Sequence, residues 1–97
     1  MTTALDTQTV TKLKTPSLYK VILLNDDYTP MDFVIQVLME LFGKSYAEAD
    51  QLCKDVHHQG RGVAGVYSKE VAEQKAYETV TVAKSNKHTL KAITEVA

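Results

Sequence analysis

Ninety-seven residues suffice for one small domain with a single core, and two cores of that size would be unusual. Eleven Lys/Arg against twelve Asp/Glu give a net charge of −1, which excludes a basic face and so nucleic acid as the main partner. One cysteine rules out an internal disulfide and fits a reducing compartment, and no apolar run approaches the roughly 20 residues of a membrane span.

Residues 1–17 carry six threonines and no sustained period, so they read as a flexible arm closed by Pro16. The arm also lacks the apolar centre of a secretion signal, and the expectation is a cytoplasmic protein. Residues 18–97 are expected to form the folded domain. Leu18–Leu24 is an apolar, partly β-branched run of strand length. After it comes a short polar loop, Asn25-Asp26-Asp27-Tyr28-Thr29, and then the hydrophobic period changes. Thr29 is suited to cap a helix, Pro30 to open it, and Asp32 stands at the capping-box distance.

That first helix is expected over residues 30–42, with Val34, Val37, Leu38, Leu41 and Phe42 on one stripe and Gly43 as its stop. Ser45 with Glu48 opens a second helix, whose stripe is Ala49, Leu52, Cys53 and Val56. Gln59-Gly60-Arg61-Gly62 ends it. Residues 62–67 read as a second strand, and their glycines mark a bulge or a close backbone approach. Ser68 caps a third helix over 69–85, with Val71, Ala72, Lys75, Ala76, Thr79, Val80 and Ala83 along one side. His88 to Thr94 alternate as a short last strand. The order β-α-α-β-α-β implies an α+β fold, a small three-stranded antiparallel sheet packed against three helices.

Several residues have the chemistry of a site. Asn25, Asp26 and Asp27 are a solvated turn or a rigid set of oxygens. A calcium loop needs more oxygens than this pair of carboxylates offers. His57 borders the stripe of the second helix one turn after Cys53, and it is a capping histidine or part of a site. Zinc would need ligands that the Cys53–His57 spacing does not supply, and a nucleophilic cysteine would need an electropositive setting. A small metal-dependent or cysteine hydrolase using Asp26, Asp27 and His57 is therefore the weaker alternative. Met31, Val34, Val56 and Leu90 are core positions by period. An antiparallel helix pair, however, sets the start of the first helix beside the end of the second, which would make an apolar hollow rimmed by Asn25, Asp26 and His57.

The run Val-Ile-Leu-Leu-Asn-Asp-Asp-Tyr-Thr-Pro-Met-Asp-Phe-Val at 21–34 closely resembles the signature of the ClpS adaptors of bacterial and plastid ATP-dependent proteolysis. Val56-His57-His58-Gln59-Gly60 and Glu70-Val71-Ala72-Glu73-Gln74-Lys75 are similar to two further motifs of that family. The resemblance covers roughly residues 16–95. It implies a non-enzymatic, cofactor-free monomer that binds N-degrons, proteins whose free first residue is Phe, Tyr, Trp or Leu. Carried over by position, Asn25, Asp26 and His57 would hold the α-amino group. Thr29, Met31, Val34, Cys53, Val56 and Leu90 would line the side-chain pocket, with Asp27 supporting the loop. Glu70 and Lys75 would dock on the N-terminal domain of a ClpA or ClpC unfoldase, and the arm would help hand over substrate. The source would be the bacterial cytoplasm or the plastid stroma. A paralogue that docks but only blocks other substrates is a third reading. Cys53 stands where the family usually has Met, so the pocket would be roomier by roughly two or three heavy atoms. His58 stands where Tyr is common.

Overall fold

The computed structural model describes residues 17–97, so the expected arm lies outside the described residues apart from Ser17. The chain runs β1 (Leu18–Leu24), α1 (Met31–Phe42), α2 (Tyr46–Gln59), β2 (Arg61–Ser68), α3 (Lys69–Ser85) and β3 (Lys91–Val96). The sheet order is β2-β1-β3 and both pairings are antiparallel. This is the expected α+β architecture. Val21, Ile22 and Leu23 are all buried in succession, which requires cover on both faces and suits the central strand. Val21 and Leu23 join the helix-facing core. Ile22 points to the other face, where its ladder partners Val63 and Ile93 shield it while staying partly exposed themselves.

The three helices pack on the first face. Val34, Ile35, Val37, Leu38 and Phe42 are the buried side of α1, and Gly43 closes it in the left-handed region at φ 66°. The start of α1 differs from expectation. Pro30 is the N-cap, no side chain caps the helix, and the Pro30 carbonyl accepts from the N–H groups of Phe33 and Val34. Thr29 stands one residue before the N-cap, and its hydroxyl donates to Asp26. At α2 the capping box is complete, with Ser45 and Glu48 each accepting from the other's N–H. Ser68 caps α3 through the Val71 N–H. On α3 the buried side is narrower than the sequence stripe: Ala72, Ala76, Thr79 and Ala83 turn inward while Val71 stays exposed. Thr79 is buried but satisfied, donating to the Lys75 carbonyl one turn back.

Both meanings of the β2 glycines are present. Val21 pairs with Gly65 and Ile22 with Val63, so Ala64 is the extra, buried residue of a bulge. At Gly62 a Cβ would come within 2.7 Å of Val56 Cγ2, so the strand approaches α2 at a distance only glycine allows. The last strand also differs: it spans Lys91–Val96, not 88–94. Residues 88–90 alternate because Leu90 is buried, but they precede the ladder and serve another purpose, described next.

Candidate ligand-binding site

Three stretches distant in sequence meet where β1 ends. The Asn25 N–H donates to the Gly60 carbonyl at 2.9 Å. Gly60 closes α2 at φ 90°, a conformation that disfavours any side chain, and its own N–H returns to the Val56 carbonyl. The loop is thereby fastened to the end of α2, one turn beyond His57. From the other side, the Cys53 thiol lies 3.9 Å from the Met31 carbonyl, so the start of α1 abuts the last turns of α2.

Asp26 fastens the loop to a third stretch. Its Oδ2 accepts from the Thr29 hydroxyl and, at 2.7 Å, from the Thr89 hydroxyl. Its Oδ1 takes a long 3.5 Å contact from the Tyr28 N–H. Thr29 first, then Thr89 and the backbone, hold the Asp26 carboxyl below its ordinary value of 3.8 despite partial desolvation, so it is anionic at neutral pH.

Around these groups lies a hollow of about 70 Å³, lined by Leu24, Asn25, Asp26, Thr29, Met31, Val34, Cys53, Val56, His57 and Leu90. Val34, Cys53, Val56 and Leu90 form buried apolar walls, and Met31, at 45% exposure, is a rim residue instead of a core one. Leu24 also belongs to the lining; the sequence offers it only as the last residue of a strand. A larger groove of about 450 Å³ runs between α2 and β2. Three of its polar side chains are occupied locally, Glu48 in the capping box and Gln51 on Asp55.

Other expected residues stand elsewhere. Asp27 is exposed and outside the hollow, and the side-chain hydrogen bonds that support the loop among the described residues are those of Asp26. Glu70 is exposed in the first turn of α3. Lys75 is half-buried, its Nζ donating to the Leu41 carbonyl at 2.7 Å and lying about 6 Å from the Phe42 and Tyr67 rings. His58 stacks edge-on against His57 with centroids 5.4 Å apart.

Chemically, the rim offers an amide oxygen, a carboxylate and an imidazole, all capable of accepting, above a floor without polar groups. Three acceptors match the three donors of an ammonium group, and the floor matches an apolar side chain. Hydrolysis is poorly served. Burial raises the Cys53 thiol above its ordinary value, opposing a thiolate nucleophile, and a lowered Asp26 is a weak general base.

Comparison with known proteins agrees with this geometry. The profile of the family described as "ATP-dependent Clp protease adaptor protein ClpS" matches residues 14–93. The ClpS adapter protein of Bdellovibrio bacteriovorus is 52% identical over 88 residues, covering 91% of this chain and 77% of that one. That of Burkholderia cenocepacia is 49% identical over 86 residues, covering 89% and 83%. Among solved structures, Agrobacterium tumefaciens ClpS2 bound to L-phenylalaninamide superposes with a TM-score of 0.83 at 38% identity, covering 86% of this chain and all of that one. The chain belongs to the ClpS family of Clp protease adaptors.

Proposed function

We propose that this protein captures other proteins by a free N-terminus beginning with Phe, Tyr, Trp or Leu, and delivers them to a ClpA or ClpC unfoldase without turning anything over itself. The observation that carries the reading is the hollow, an apolar floor under a ring of acceptors that includes a fixed carboxylate. Asn25, Asp26 and a neutral His57 take the α-ammonium group. Thr29, Met31, Val34, Cys53, Val56 and Leu90 enclose the first side chain. The phenylalaninamide in the Agrobacterium relative has the corresponding chemistry, a free α-amino group on a carbon that bears a benzyl side chain. Glu70 and Lys75 serve as docking positions on α3, and the protein works as a cytoplasmic monomer. Among the described residues no helix is long and apolar enough to cross a membrane.

Both halves of the ligand are needed. A charge-assisted hydrogen bond contributes about 1.5–3 kcal/mol, and burial of a large apolar side chain a similar amount. N-acetylation removes the charge and leaves Asp26 facing an amide, so it costs about two orders of magnitude in affinity. Fluorescence anisotropy with labelled peptides tests this directly. The free Phe-starting peptide binds, while its acetylated form and a peptide with only an internal Phe do not. Equal binding of the free and acetylated forms would refute the proposal.

A further inference from the structure

Thr89 lies outside every motif by which the sequence announces a site, yet its hydroxyl reaches Asp26 across 63 residues of chain. The stretch that carries it is well held. Lys87 turns at φ 64°, the His88 N–H donates to the Ala83 carbonyl at 2.8 Å, and the His88 ring lies 4.5 Å from that of Phe33. The next residue, Leu90, is a buried wall of the hollow. One short segment thus supplies both a piece of the floor and a hydrogen bond to the rim.

Resting on the function proposed above, we infer that Thr89 is a positioning residue for α-amino recognition: with Thr29 it anchors Oδ2 of Asp26, so that Oδ1 is left to accept from the ligand's ammonium group. The two hydroxyls come from different segments, so together they fix the carboxylate's rotation as one alone does not. A carboxylate already oriented loses less freedom when the ligand arrives. Thr89 also contributes to the lowered protonation of Asp26. Thr89 is not among the residues lining the hollow, so its contribution is expected to be the same whatever the first residue is.

Thr89→Val keeps the shape and removes the donor, Thr89→Ala removes the donor with less bulk, and Thr89→Ser restores it. Affinities of all three and the wild type are measured for Phe-, Tyr- and Leu-starting peptides, with thermal unfolding as the check on folding. The expected result is a loss of about fivefold to tenfold for both the Val and Ala variants, uniform across the peptides. Recovery to within about twofold is expected for Ser. If Val and Ala bind like the wild type, if Ser is as weak as Val, or if the loss differs among first residues, the inference is overturned while the proposed function stands. If the wild type itself binds no such peptide, the function fails and the inference with it.

Discussion

In the proposed complex Asp26 and His57 meet the same ligand, one as an anion and the other as a neutral acceptor. Asp26, held low by two hydroxyls, adds to stability above its ordinary 3.8, and that contribution is lost as pH falls through its still lower folded value. It stays charged throughout the range in which histidines titrate, near 6.5. His57 accepts only while neutral; once protonated it presents N–H donors to a cation. The ligand's own α-amino group loses its proton near 7.7–8.0. Peptide affinity is therefore expected to fall on acidification and again once the ligand's amino group is neutral, and His57→Ala is expected to weaken binding and remove the acid loss. Titration by anisotropy reads both. In the proposed complex Cys53 meets the other half of the ligand. Its thiol lies on the wall, and Cys53→Met extends the side chain into a hollow of only about 70 Å³. The expected outcome is weaker binding of Trp- and Phe-starting peptides relative to Leu, by about threefold to tenfold, without loss of stability. An unchanged ranking would show that the wall yields.

At the scale of elements, local signals were read well where one residue type had one use. The Ser45–Glu48 box, the Ser68 cap and the Gly43 stop all follow from short-range chemistry, and all are present. Thr29 has the residue type of a cap but stands one position too early for it, and its hydroxyl is directed to the carboxylate three residues back. The start of β3 was misread because an alternating pattern records burial and not pairing, and Leu90 is buried by the hollow. Thr89 left no trace at all, since a hydrogen bond between residues so far apart has no period or spacing. The β2–α2 approach joins fold and site. Gly62→Ala pushes a methyl group against Val56, a wall of the hollow, so it is expected to destabilise by about 1–3 kcal/mol and to weaken peptide binding as well. Chemical denaturation and anisotropy measure the two effects.

For the molecule as a whole, capture and delivery are expected to separate on α3. Glu70 is exposed and stands in the first turn, so Glu70→Arg is expected to leave peptide affinity and melting temperature unchanged while abolishing Clp-dependent degradation of a Phe-starting substrate. Lys75 differs because its ammonium group satisfies the Leu41 carbonyl near the end of α1. Lys75→Met is expected to cost about 1–2 kcal/mol of stability in addition to any loss of delivery. A degradation assay beside thermal unfolding distinguishes the pair. The overall order of elements was legible because each hydrophobic period was strong. The convergence of residues 25–34, 53–57 and 89–90 on one hollow was legible only in part, through the antiparallel helix pair, since nothing local announces the third stretch.

That third stretch also dates the activity in the life of the chain. Leu90 and Thr89 are translated just ahead of β3, the strand that completes the sheet against β1. A chain from which residues 89–96 have yet to emerge lacks the far wall of the hollow and the second tether on Asp26. On the proposed function, competence to seize a degron is therefore expected to wait for this stretch, and a chain truncated before Thr89 is expected to bind no Phe-starting peptide in an anisotropy titration.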